Sequence, residues 1–266
     1  MFSQSIATAI DYSRGLSAPI MWIHAGIAAA RPIVDALLGW TLWPGFRTWA
    51  PLTLFTLAAV WLLWGSDAAV SAAGRAWFGD GGGDIRRELE AIQQFGQGFS
   101  MLLIALVILL LDERRRARLL DWGVGGLITL ALASGVKLLV GRPRPFAGDA
   151  ETIVGPFGAY AVERAGSAGE AATVRLSTVW NSSYDLASMP SRHAAFAVLA
   201  AVFLSALYPR LWWLVFALAV LVCVGRVVTG AHYPTDVIAG AAIGLLVGRH
   251  AVGLEWGQRL ARRIAR

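Results

Sequence analysis

Six apolar runs, each 16 to 20 residues long, leave this chain little choice of fold. They cover approximately residues 47–65, 96–111, 122–140, 193–208, 211–229 and 235–254. A helix of about 20 residues crosses the roughly 30 Å of hydrocarbon in a bilayer. A backbone in lipid must also satisfy its own hydrogen bonds, so runs of this kind are helical. The second and fourth runs are the shortest and are expected to extend into their flanks. Only 15% of the 266 residues are charged and 57% are hydrophobic, whereas soluble domains carry about a quarter charged. The expected class is therefore all-α, a polytopic membrane protein with six transmembrane helices. Twelve tryptophans fit it, since indole rings favour the membrane–water interface.

The first 46 residues differ. The stretch "MWIHAGIAAARPIVDALLGW" interrupts its apolar run with Arg31, Pro32 and Asp35, which fits an interfacial amphipathic helix. A signal peptide fits less well, because Arg14 is offset by Asp11 and the apolar stretch starts late. Residues 1–46 thus form an N-terminal interfacial region, and 47–266 the six-helix domain. Within that domain, 141–192 is a long connection expected to form a partly ordered lid or a solvated loop. Orientation follows from arginine in short loops. Arg114, Arg115, Arg116 and Arg118 lie between the second and third runs, and "GQRLARRIAR" ends the chain. These segments and both termini then face the cytoplasm, and 141–192 faces outward, as in a bacterial inner membrane. The net charge of +6 is mostly arginine between apolar runs, not a basic face interleaved with polar and aromatic residues. That distribution argues against a nucleic-acid partner. The lone Cys223 excludes an intrachain disulfide and a cysteine metal cluster.

Three polar clusters fall at outward ends of the runs. In "KLLVGRPRP", Lys137 is the only lysine of the chain. Pro143 and Pro145 stop the helix, so Arg144 sits in a turn beyond its end. An ionisable residue inside an apolar run is either functional or a side chain snorkelling to the interface. In "SMPSRHAAF", Pro190 suits a first helical turn with Ser188 as cap. The N–H groups of Ser191, Arg192 and His193 would then be open to an anion. In "GRVVTGAHYPTD", Asp236 is placed to hydrogen-bond a ring nitrogen of His232, leaving the other nitrogen a better nucleophile or base. A capping Asp beside an interfacial histidine accounts for the same residues. Taken together, the clusters bring two histidines, one carboxylate and the cations Lys137, Arg144, Arg192 and Arg226. With no metal-ligand cluster, such a set fits an anionic phosphoryl group.

The spacing resembles the type 2 phosphatidic acid phosphatase (PAP2) superfamily, whose pattern is K-x6-RP, PSGH and SR-x5-H-x3-D. Here these are Lys137 to Arg144-Pro145, "PSRH" at 190–193, and Arg226, His232 and Asp236. The resemblance implies a membrane phosphatase needing no metal and no cofactor, working through a phosphohistidine. His232 would be the nucleophile, oriented by Asp236, and His193 the acid toward the leaving oxygen. Lys137, Arg144, Ser191, Arg192 and Arg226 would bind substrate phosphate. Two positions depart from the pattern. Arg192 stands for the glycine and either reaches a second phosphate or points to lipid headgroups. Gly225 stands for the serine, with the loss of one hydroxyl. The substrate partner implied is a phospholipid or polyprenyl phosphate: a polyprenyl diphosphate, phosphatidate, phosphatidylglycerol phosphate or a lipid A type. A lipid phosphotransferase using the same site, or a non-catalytic lipid-binding relative, are the alternatives.

Overall fold

A computed structural model describes residues 46–80, 83–147, 149–165, 171–178 and 184–265. The interfacial helix expected over 1–46 lies outside these residues, except that Phe46 opens the first described helix. Each of the six apolar runs lies on a helix. Helix α1 (Phe46–Leu63) passes through a 3-10 turn at Trp64–Ser66 into α2 (Asp67–Asp80). Helix α3 (Gly83–Gln93) leads through a second 3-10 turn, Gln94–Gly96, to α4 (Gly98–Leu111). Then come α5 (Leu119–Val140), α6 (Arg192–Leu207), α7 (Trp212–Val228), α8 (Pro234–Gly253) and a short α9 (Trp256–Ile264). Four stretches are long and apolar enough to cross a membrane: Ala50–Gly79, Glu113–Val140, Pro209–Val228 and Pro234–Gly253. A fifth arises if the pair Arg87–Gly96 and Gly98–Leu111, bent by 63°, is one span. The fold is that of a polytopic helical membrane protein.

Three features differ from expectation. Helix continues beyond the first apolar run, because after the Trp64–Ser66 turn small residues carry it on to Asp80. Helix α6 does not extend into its flanks: Ser191 caps one end and Tyr208 closes the other. At 16 residues it is about 24 Å long, short of a full bilayer crossing. The long connection also departs from an all-α chain. It contains an antiparallel hairpin, β1 (Ala159–Ala165) on β2 (Ala171–Ser177), in which Tyr160 pairs with Leu176 and Val162 with Val174.

Helix α6 is central because it is apolar all round. Leu199, Ala200, Phe203 and Leu207 pack with Ile108 of α4, Trp122 of α5 and Val247 of α8. Its other side, Ala197 and Ala201, meets Val215, Ala219 and Val222 of α7. Small residues let α8 approach closely, as is usual between membrane helices. A Cβ at Gly240 would stand 2.2 Å from the Ser191 carbonyl, and one at Gly244 2.1 Å from that of Ala195. The two backbones therefore touch at Gly240 and Gly244, and one turn on Gly248 makes room for the Val202 and Leu199 side chains.

The helices alternate in direction, which gives the bundle two chemically distinct ends. At one end the Tyr208 hydroxyl donates to Asp112 at 2.9 Å, and Arg118 donates to the Val252 carbonyl at 2.7 Å. Here α4, α6 and α8 finish and α5 begins. The buried Asp121 accepts the Gly257 and Gln258 N–H groups at 2.9 and 3.2 Å, so it caps α9 from a neighbouring helix. Helix α9 carries Arg259, Arg262 and Arg263 on its exposed surface. At the other end, α5 and α7 finish while α6 and α8 begin. The three motif clusters meet there.

Candidate active site

Helix α5 delivers Lys137 in its last turn and ends at Gly141, whose φ of +60° is the left-handed cap that glycine adopts without strain. A Cβ at Gly141 would also collide with the Gly155 carbonyl at 2.8 Å, where the long connection folds back. Lys137 does not snorkel. It is 7% exposed and donates to the Ala187 and Ser188 carbonyls at 2.5 and 3.1 Å. Arg144 lies beyond the helix end as expected, donating to the carbonyls of Tyr184, Ala187 and Ala231 at 3.0, 3.2 and 2.8 Å. Its guanidinium lies 3.8 Å over the Tyr184 ring. Burial, together with the neighbouring Arg226 and Arg192 charges, lowers it to about 10. These two cations thus lace the segment 184–188 onto the bundle as well as facing the histidines.

The second cluster differs from the sequence expectation in one respect. Ser191, not Ser188, is the N-cap of α6, accepting the Ala194 N–H at 3.4 Å. Pro190 precedes the cap. The Ser191 N–H is taken by the Asp236 carbonyl at 2.9 Å, while those of Arg192 and His193 begin a first turn that has no intrahelical acceptor. Ser188 instead donates to Asp236 Oδ2 at 2.5 Å. Arg192 is exposed, and its charge acts on Lys137, Arg144 and His193. Gly96 of the 3-10 turn is pressed against His193, since a Cβ there would stand 2.4 Å from the His193 carbonyl.

In the third cluster, Arg144 approaches His232 Nε2 at 3.4 Å. A guanidinium only donates, so Nε2 is the ring acceptor and Nδ1 carries the proton. Nδ1 faces Asp236 Oδ2 at 3.7 Å, beyond hydrogen-bond distance. The carboxylate is already held, by Ser188, by the Tyr233 N–H at 2.9 Å and by Arg142 at 2.8 Å. It caps α8, as the capping reading of the sequence has it, and faces the histidine without forming the expected hydrogen bond to a ring nitrogen. Burial of His232, with Arg144 and Lys137 nearby, pushes its pKa well below the ordinary 6.5 despite Asp236. Burial thus favours the neutral imidazole, whose Nε2 lone pair is met by Arg144.

Arg226 donates to Gln93 Oε1 at 2.7 Å. Gln93 also occupies the space beside Gly225, where a Cβ would stand 3.2 Å from its Cγ. The position without a hydroxyl is thus packed by an amide that holds the adjacent arginine. Three buried atoms of the cluster, His193 Nε2, His232 Nδ1 and Arg226 Nε, have no hydrogen-bond partner. Unsatisfied buried polar atoms are rare, and their grouping here points to a ligand-binding place. Among the described residues no group of three His, Cys, Asp or Glu could hold a metal ion. The clustered donors are cations and helix N-termini.

The PAP2 superfamily matches residues 118–259, over half of the chain and all three clusters. The chain belongs to the PAP2 superfamily. No curated protein matches it. Among solved structures, it is similar to the transmembrane PAP2-type phosphatidylglycerolphosphate phosphatase of Bacillus subtilis. The identity is 22% and the TM-score 0.51, over 78% of this chain and 96% of that one. LpxE of Aquifex aeolicus aligns at 19% identity and a TM-score of 0.47, over 69% of this chain and 93% of that one. The PAP2 fold accounts for the alternating helices that gather three distant motifs at one end. Arg142, Asp67 and Gln93 were not singled out in the sequence, although each is a polar residue set in or beside an apolar run.

Proposed function

We propose that this PAP2 protein is a metal-independent membrane phosphatase that removes phosphate from a lipid headgroup through a phosphohistidine on His232. The observation that carries this reading is His232 itself: a buried neutral imidazole whose Nε2 accepts from Arg144, beside Lys137 and Asp236. Nε2 attacks phosphorus, the P–N bond forms, and the P–O bond to the lipid breaks with its electron pair on oxygen. His193, which takes up a proton once the anionic headgroup offsets the cations around it, supplies that proton to the oxygen. Water then attacks phosphorus while His193 takes its proton, and the P–N electron pair returns to His232. Lys137, Arg144 and Arg226, with the Ser191 hydroxyl and the first-turn N–H of Arg192, face the charge that builds on the phosphoryl oxygens. To do so, Lys137 and Arg144 share or exchange their present carbonyl partners, and Arg144 turns from Nε2 to a phosphoryl oxygen, freeing the lone pair for attack.

The substrate class follows from the setting. The cations lie at one end of a bundle whose flanks are apolar, so a headgroup reaches them while its tails stay in lipid. The name of the Bacillus subtilis relative supports a lipid phosphate here too. Polyprenyl diphosphate, phosphatidate, phosphatidylglycerol phosphate and lipid A are the members to test. The same reading counts the bent α3–α4 pair and α6, about 24 Å long, among six membrane helices, and takes 1–46 as interfacial and 141–192 as the cover of the site. The arginines of 114–118 and of α9 lie at the end opposite the histidines, which supports cytoplasmic termini and an outward-facing site.

The test is phosphate release by purified protein in EDTA across farnesyl diphosphate, phosphatidate, phosphatidylglycerol phosphate and lipid A. Release that is unaffected by the chelator and lost in His232→Ala is expected. A phosphorylated lipid acceptor with no free phosphate would replace hydrolysis by transfer, and activity that needs added magnesium would overturn the cation-only site.

A further inference from the structure

Behind the histidines lies an arginine to which neither the sequence motifs nor the proposed chemistry assigns a role. Arg142 is fully buried in the turn after α5. All five of its N–H groups are placed. Nε and one NH2 hydrogen serve the Ala150 carbonyl at 2.9 and 2.6 Å, and the other NH2 hydrogen serves Asp67 Oδ2 at 2.7 Å. NH1 serves Thr235 Oγ1 and Asp236 Oδ1, both at 2.8 Å. The guanidinium carbon lies over the rings of Trp64 and Tyr233, 3.8 and 4.2 Å from their centroids. Asp67 closes the set, accepting the Thr235 N–H at 3.1 Å and the Thr235 hydroxyl. A fully buried carboxylate–guanidinium–carboxylate series therefore joins the start of α2, the end of α5 and the first turn of α8.

A series of this kind is costly to desolvate and is weak grounds for a purely stabilising role. Its position gives it another. Asp236 offers one oxygen to Arg142 and turns the other toward His232 Nδ1, 3.7 Å away. We propose that Arg142, charge-balanced by Asp67, is a positioning residue that fixes the Asp236 carboxylate and sets its pull on His232. The proposal rests on His232 being the nucleophile. The charged groups acting directly on His232 are Arg144, Lys137 and Asp236. His193 and Arg226 complete the cluster, and all five stay unchanged in the variants below.

Charge removal on the two sides of Asp236 has opposite signs. Arg142→Gln deletes a cation, favours the protonated imidazole, and moves the acid limb of kcat/KM to higher pH. Asp67→Asn deletes an anion with little change of shape and moves that limb to lower pH. Arg142→Lys keeps the charge but offers three N–H groups for five places, so kcat falls while the limb stays. In each variant kcat drops between about ten- and a hundredfold, and KM stays within about twofold because neither residue faces the phosphate place. The profiles are recorded on whichever of farnesyl diphosphate, phosphatidate, phosphatidylglycerol phosphate or lipid A is hydrolysed fastest, with His232→Ala in parallel.

Limbs that do not move, or that move together, would overturn the positioning role, since loosened packing has no reason to shift them oppositely. If Arg142→Gln does not fold, the limb of Asp67→Asn decides: displacement to lower pH upholds the role and an unmoved limb overturns it. Retained activity in His232→Ala would instead overturn the nucleophile, and with it the basis of this inference.

Discussion

At the scale of single residues, one imidazole is held between opposing charges. Arg144 addresses His232 Nε2, and Asp236 stands behind Nδ1. This arrangement distinguishes the two ring nitrogens without fixing the ring by a close carboxylate bond. Because burial lowers the His232 pKa well below 6.5, the proposed nucleophile is expected to stay unprotonated as pH falls through 6.5. The acid limb of kcat/KM assigned to His232 is expected below that pH, and a limb above it that vanishes with the histidine would contradict the burial argument. The sequence placed these residues through spacing, since a helix end, a proline stop and a four-residue offset are local facts. It did not reveal what holds them. Arg142 and Arg144 are alike in "GRPRP", and only packing shows that one meets two carboxylates while the other meets His232. Lys137 looked like a snorkelling candidate for the same reason: the carbonyls that receive it are 50 and 51 residues away.

Among the elements, backbone contact sets the geometry of the site more than side-chain packing does. Glycines at 96, 240 and 244 let the Gln94–Gly96 turn and α8 rest directly on the first turns of α6. Gly96→Ala places a methyl group where the His193 carbonyl lies, and both are backbone-bound. The expected result is a loss of roughly tenfold in kcat, with the fold retained. Gly244→Leu pushes α8 off α6 altogether and should cost about 1–3 kcal/mol, read as a lower thermal midpoint in detergent. Wild-type activity for the first, or an unchanged midpoint for the second, would show that these contacts yield easily. Helix identity was legible because apolar runs in a bilayer admit no other regular structure. Helix ends were less so. The start of α6 moved from Pro190 to Arg192 because Ser188 was drawn to Asp236, 48 residues away. The hairpin of the long connection carries no apolar run and left no comparable trace.

For the whole molecule, the two ends of the bundle carry different charge chemistry. One end holds the site cations and the N-termini of α6 and α8. The other holds the arginines of the 114–118 turn and α9, the latter tied down by Asp121. A reporter fused after Arg266 should read as cytoplasmic, and a signal from the opposite side would invert the orientation. The central claim is that phosphate passes through His232. The most direct measurement is acid-labile label on the protein after rapid quenching of turnover with phosphorus-32-labelled substrate in EDTA. The account predicts alkali-stable label on the peptide containing His232 and none in His232→Ala. Label on any other residue, or wild-type turnover by His232→Ala, would contradict it.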